Sequence, residues 1–188
     1  AQTANQAIVC FLMILLSTVA PGARGADFYV AECGDDSRGD GTQASPWRTV
    51  QYAIDSVRGS PEEPHAIRIA GGAYPGEISM DSWENLYGGY DPATWERDVD
   101  AHPTVLHATI VTSGSAVVKA ARASILSGCT VTGGYYGIYC KYASPVLERN
   151  TIGANVYGIV CRLRSSPLII GNQIVSNALD GIVCEEYS

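Results

Sequence analysis

Three cysteines recur in one local context: Gly-Ile-Tyr-Cys ending at Cys140, then Gly-Ile-Val-Cys ending at Cys161 and again at Cys184. Thiols aligned by a repeat can pack as small apolar groups, join as a disulfide or take up a soft metal ion. Strands stacked about 4.8 Å apart bring neighbouring cysteines inside the Cα window for a disulfide, but their Cβ vectors run parallel. Buried thiols are therefore the first reading of this column and one disulfide the second. No Cys-x-x-Cys pair is present, which removes a zinc knuckle. Around the cysteines lie Tyr136, Tyr139 and Tyr157, with Lys141 and Arg162. A tyrosine ring offers a flat apolar face and a polar tip, which suits stacking on a sugar. These five are the glycan-contact candidates, set against the simpler reading of tyrosine as an ordinary outward strand residue.

Catalytic groups are harder to find. Glycoside hydrolysis needs two carboxylates about 5–9.5 Å apart. Across the three cysteine units, the position after the Cys reads Lys141, Arg162, Glu185, and that before the Gly reads Tyr136, Tyr157, Asp180. Neither column stacks two acids. His65, His102 and His107 have no metal-ligand spacing, and no Gly-x-Ser-x-Gly elbow occurs. Asp35-Asp36-Ser37-Arg38-Gly39-Asp40-Gly41 invites a calcium reading, but Arg38 and Trp47 stand where an EF-hand needs ligands. An acidic turn that orders its surroundings is the better reading, and no metal site is expected.

These residues sit on an internal repeat. Ser144–Cys161 and Ser166–Cys184 share nine identical positions once one residue is inserted before the last Gly, and Ile125–Cys140 matches Val146–Cys161 at six without a gap. The cysteines are 21 and 23 residues apart. Each unit reads as three short strands punctuated by Gly, Asn and Ser-Pro, and holds too few leucines for a leucine-rich repeat. Stacked coils would turn Ile138/Ile159/Ile182 and Val131/Ile152/Ile174 into inward columns. Asn150 and Asn172 share a column with Cys129, where an amide ladder and a left-handed corner are expected. The fold expected is all-β: a right-handed parallel β-helix with an N-terminal capping strand and a short amphipathic helix.

Upstream, Ser45–Gly59 carries Trp47, Val50, Ile54 and Val57 at helical spacing, with Ser45 as N-cap and Pro46 in the first turn. A solenoid end exposes strand edges and apolar side chains, so residues 26–65 read as its cap. Residues 66–188 read as coils, with strands at 66–69, 78–80, 85–88 and 104–111 and an excursion at 91–102. The apolar run Ile8–Ala20 is too short for a bilayer span, which needs roughly 20 residues. With small residues before Ala26 it suits a secretory leader over residues 1–25. There is no initiating Met and no Lys or Arg precedes the run, as a chain truncated at its start would show. The chain closes on Glu185-Glu186-Tyr187-Ser188 without a distinct cap, so further coils are expected beyond it.

Ala26-Asp27-Phe28-Tyr29-Val30, Gly34-Asp35-Asp36, Ser45-Pro46-Trp47 and Thr49–Ile54 resemble the N-terminal region of secreted bacterial right-handed β-helix (pectate-lyase-like) proteins. Leu86-Tyr87-Gly88-Gly89-Tyr90-Asp91 with Trp95-Glu96-Arg97-Asp98 is similar to a segment of the same group. The resemblance covers residues 26–188 and implies a solenoid and export to the periplasm, cell surface or medium. It implies no single activity, because lyases, hydrolases, epimerases, adhesins and scaffolds share that fold. Lyases of this group set Ca²⁺-binding acids beside a Lys or Arg base. Lys141 and Arg162 match the basic half only, so Ca²⁺ is expected only under a lyase reading.

Of 188 residues, 19 are acidic and 12 basic, a net charge of −7, which argues against nucleic acid as the partner. The reading favoured is a non-catalytic extracellular module or adhesion scaffold that meets a polysaccharide or cell-surface glycan. The alternative is a lyase or hydrolase of acidic glycans with its catalytic residues largely outside this stretch. The acidic charge disfavours polyanionic substrates, which want a basic groove.

Overall fold

A computed structural model describes residues 25–185, so the apolar run read as a leader lies outside the described residues. Strand β1 (Asp27–Val30) and helix α1 (Val50–Ser56) come first, and five coils follow. The first holds β2 (His65–Ala70), β3 (Gly72–Pro75) and β4 (Ile78–Ser79); the second β5 (Glu84–Tyr90), β6 (Thr104–His107) and β7 (Ala116–Ala120). The third holds β8 (Ile125–Ser127), β9 (Cys129–Thr132) and β10 (Tyr136–Lys141); the fourth β11 (Val146–Glu148), β12 (Thr151–Gly153) and β13 (Tyr157–Arg162). The fifth holds β14 (Leu168–Ile170), β15 (Gln173–Val175) and β16 (Ile182–Glu185). Strands in equivalent places pair in parallel into three sheets: β1-β2-β5-β8-β11-β14, then β3-β6-β9-β12-β15, then β4-β7-β10-β13-β16. This is the expected parallel solenoid.

One apolar column per sheet fills the axis. On the first sheet Ile67, Leu86, Leu126, Leu147 and Ile169 lie in register. Tyr74, Leu106, Val131, Ile152 and Ile174 do so on the second. Ile78, Val118, Ile138, Ile159 and Ile182 complete the third. Both columns read from the repeat are present. From the first coil to the fourth these side chains are buried, and the three in the last coil are not. Burying each is worth about 1.5–3 kcal/mol, and no single coil could achieve it alone.

The corners are held by side-chain amides. Asn150 Oδ1 accepts from Cys129 N (3.0 Å), while its Nδ2 donates to Leu126 O (2.8 Å) and to Asn172 Oδ1 (3.0 Å). Sequence reading placed the asparagine itself in the left-handed corner. The structure gives that conformation to the residue before it, in Gly128 (φ 70°), Arg149 (φ 52°) and Gly171 (φ 59°). This turn swings the next side chain inward, where its amide reaches the coils on both sides. A second ladder at the next corner went unread: Asn155 accepts from Gly134 N (2.9 Å) and donates to Val131 O (3.1 Å) and Asn177 Oδ1 (3.2 Å).

Helix α1 starts at Val50, not in the turn of Pro46, and Thr49 rather than Ser45 is its N-cap. Trp47 is taken by strand pairing instead: its N–H donates to Tyr29 O (3.0 Å), its C=O accepts from Ala31 N (2.9 Å), and its indole donates to Gly39 O (3.0 Å). The apolar stripe stands, since Trp47, Val50, Ile54 and Val57 are all buried. The cap also closes the first coil's edges. Strand β1 pairs with β2, Glu32 Oε1 accepts from Ala73 N at β3 (3.0 Å), and Gln51 Oε1 accepts from Ser79 N at β4 (2.8 Å). Three strand edges are thus answered in three different ways. The strand expected over 104–111 ends at His107, and Ile110 and Val111 project into solvent.

Glu84, opening β5, is 1 % exposed, with its carboxylate 4.0 Å from Arg58 Nη1 beneath the cap. Burial and the charge of Asp81 push its pKa up from 4.5 to about 7, against the pull of the Gly59 amide and Arg58. The folded chain therefore keeps a proton that the unfolded chain has released. This contribution to stability is complete below about pH 4.5 and is lost as pH rises through 7. Glu84→Gln is expected to flatten that slope and to raise the unfolding free energy at pH 8 by about 2 kcal/mol. Urea unfolding of both proteins at pH 5 and pH 8 checks this; equal pH dependence would refute it.

Candidate functional site

The third sheet's outer face carries the candidates read from the repeat. A Cβ on Gly137 would meet Gly158 O at 2.7 Å, Asn155 Nδ2 at 2.8 Å and Ile152 Cγ2 at 2.9 Å, so this position points inward against the ladder. Ile138 is also inward and fully buried. Two successive inward residues interrupt the alternation, and Tyr136 and Tyr139, three apart, emerge on the same outer face. Their rings stack at 5.4 Å and 20°. Tyr157, in register one coil on, lies 5.8 Å from Tyr136, and Tyr135 touches both at 5.0 and 5.7 Å. Val160 faces the same outer side yet is 1 % exposed, because the tyrosines cover it.

The candidates are therefore brought together, in unequal positions. Tyr136 is buried as the floor of the cluster, while Tyr139 and Tyr157 are half-buried at its surface. Lys141 is exposed beside them. Arg162 lies in register between Lys141 and Glu185, pairs with Glu185 (Nε–Oε2, 2.6 Å), and sits 5.9 Å over the Tyr136 ring. A small pocket of about 120 Å³ opens between Tyr135, Tyr157, Val183 and this ion pair. The platform is one of aromatic edges and faces with a cation at its margin.

A larger cleft, of about 400 Å³, lies on the outer face of the first sheet. Sequence reading missed it because its residues come from segments up to 70 positions apart. Its floor is Ala66, Arg68, Asn85 and Tyr87, and one wall is Tyr90 at the end of β5 with Arg97 from the excursion that follows. That excursion is well tied. Asp91 accepts from Ala93 and Thr94 N–H, Asp98 accepts from Asp100 and Ala101 N–H, and these bonds hold both carboxyls below the usual range. Trp95 packs edge-on against Tyr29 at 4.7 Å.

The acidic turn near the N-terminus is used by the backbone. Asp36 Oδ1 accepts from Arg48 N (2.7 Å) and Thr49 N (3.0 Å), and Asp35 accepts from Ser37 N and Arg38 N. Asp40 accepts from Thr42 N–H and Oγ1–H, which lower its pKa. Among the described residues no group of three or more His, Cys, Asp or Glu is arranged to hold a metal ion. None of their helices is long and apolar enough to cross a membrane.

Cys140, Cys161 and Cys184 stack in register, and the five described cysteines are all thiols rather than disulfides. Cys140 donates to Cys161, which holds the Cys161 thiol down and, with burial, pushes Cys140 up. Burial alone raises Cys129 to about 12. A thiolate is the reactive form, so exposure and pKa act in the same direction here. With a thiol-specific aromatic disulfide at pH 8 and peptide mapping, exposed Cys33 is expected to label at least about 100-fold faster than Cys129 or Cys140. Equal labelling of Cys140 and Cys33 in the folded protein would contradict the buried column.

Residues 99–188 match a family described as the right handed beta helix region. No curated protein and no solved structure matches the chain. The match covers the second-coil strands from β6 onward and all later coils, and the first sheet carries the same register back through β5 and β2 to β1. Over this stretch, just under half of its length, the chain is similar to right-handed β-helix proteins, and its fold is a right-handed parallel β-helix capped by one strand and one short helix.

Proposed function

We propose that this chain is an extracellular or cell-surface β-helix module that binds glycans on the outer face of its third sheet without cleaving them. One observation carries this reading: Tyr135, Tyr136, Tyr139 and Tyr157 form a single cluster, with Tyr136 as a buried floor and Lys141 exposed at the edge. Rings already fixed by their neighbours lose little freedom when a sugar stacks on them, so binding keeps more of its contact energy. A β-solenoid extends such a platform along its axis, which suits a chain-like ligand. Export rests on the apolar run Ile8–Ala20 ahead of the cap.

The test is retention on immobilised polysaccharides, followed by calorimetry with any that retain the protein. The same mixtures are assayed for unsaturated or shortened sugars. Binding without products is expected, and the double variant Tyr139→Ala/Tyr157→Ala is expected to bind at least about tenfold more weakly with its β-sheet circular dichroism intact. Retention on none of the polysaccharides, or full affinity in a folded double variant, would sink the platform. Product formation would replace it with the lyase or hydrolase reading.

A further inference from the structure

A cavity of about 280 Å³ lies where the cap meets the first coil, between the chain leading into α1 and the free edge of β3. Its floor is apolar: Val50, Tyr74 and Ile78 are all buried, and the Tyr74 hydroxyl donates to Ala70 O (3.0 Å). Its rim is polar. Glu77 is neutralised by Lys119, and Gln51 is engaged by Ser79 N and Asp55. Glu32 is fixed but not neutralised. Its Oε1 accepts from Ala73 N (3.0 Å), and only the lack of a side chain at Gly72 makes room for Oε2, which a Cβ there would approach to 2.7 Å. Arg48 is anchored through its backbone N–H, which donates to Asp36 Oδ1 (2.7 Å), while its guanidinium makes no ion pair among the described residues. Two opposite charges thus line one cavity without pairing with each other.

The edge of β3 adds acceptors. This strand has β6 on one side only, where Gly72 N donates to Pro103 O and Gly76 N to His107 O. Alternation turns Ala73 and Pro75 the other way, so their carbonyls point to the cap with no strand to meet them. Pro75 has no N–H and that of Ala73 is taken by Glu32, so these two residues offer acceptors alone.

We propose that this cavity binds a free apolar α-amino acid, with its ammonium on Glu32 and the β3 edge, its carboxylate on Arg48 and its side chain on the apolar floor. An ammonium carries three donors and no acceptor, which matches a carboxylate set beside backbone carbonyls. A guanidinium without a counter-ion matches the ligand's carboxylate. A partner's strand fits less well, because it needs donors as well as acceptors along the edge it joins, and Pro75 supplies none. The volume falls just short of the usual range for drug-sized ligands, roughly 300–1,000 Å³, so the occupant is small. None of these residues belongs to the tyrosine platform, so either proposal can fail without the other.

The experiment is calorimetric or NMR titration of the full chain with leucine, glycine, isocaproate and isoamylamine near neutral pH and at low salt. Isocaproate is leucine without its ammonium, isoamylamine is leucine without its carboxylate, and glycine lacks the apolar body. Leucine is expected to bind at least about tenfold more tightly than each of the three. Glu32→Gln keeps an acceptor for Ala73 N, so the cap stays seated, and is expected to erase the advantage over isocaproate. Arg48→Gln leaves the backbone bond to Asp36 in place and is expected to erase the advantage over isoamylamine. Circular dichroism checks that both variants fold. Leucine no tighter than glycine, or undiminished in folded Glu32→Gln, would overturn the site. Isocaproate or isoamylamine binding as tightly as leucine would reduce it to a site for one charge and overturn the amino-acid assignment.

Discussion

One buried side-chain amide at each of two corners is the interaction on which the rest depends. Within the sheets, backbone groups find partners in the coils on either side. At a tight corner the peptide planes turn and the ladder is broken, leaving N–H and C=O groups buried without a strand to meet. Asn150 answers for Cys129 N and Leu126 O, and Asn155 for Gly134 N and Val131 O. Each also contacts the asparagine of the following coil. A buried polar group left unpaired costs about 1–3 kcal/mol, so the corners would otherwise oppose stacking at every coil.

The ladders also decide what the outside looks like. The second ladder occupies the space where a side chain at 137 or 158 would go, so glycine is required there: at 158 a Cβ would come within 2.3 Å of Gly181 O. With no side chain at 137, two consecutive residues turn inward, and the outward set shifts by one. That shift places Tyr136 over Tyr139 and builds the aromatic platform. An internal hydrogen-bonding demand thus sets the spacing of an external surface.

Much of this was legible in the repeat. The columns Ile138/Ile159/Ile182, Val131/Ile152/Ile174 and Cys140/Cys161/Cys184 follow from aligning three units, because stacking converts equal positions into neighbours. Asn150 and Asn172 were readable as a ladder for the same reason. Three things were not. Trp47 has helical spacing from Val50 and Ile54, yet pairs with β1, because strand partners lie outside the local window that periodicity examines. The burial of Tyr136 depends on Gly137 pointing inward, which simple alternation does not foresee. The first-sheet cleft draws Asp27, Arg68, Asn85 and Arg97 from the irregular coils, where no repeat aligns them.

Hydrogen exchange in Asn150→Ala and Asn155→Ala tests the dependence on the corner amides most directly. The account predicts that Asn150→Ala frees the Cys129 amide to exchange and Asn155→Ala frees that of Gly134, each with a loss of about 2–4 kcal/mol in unfolding free energy. The amides of Ile138 and Ile159, paired within the third sheet, are predicted to remain the slower to exchange. If Cys129 and Gly134 stay fully protected in these variants and stability changes by less than about 0.5 kcal/mol, the asparagines do not hold the corners and the account is wrong.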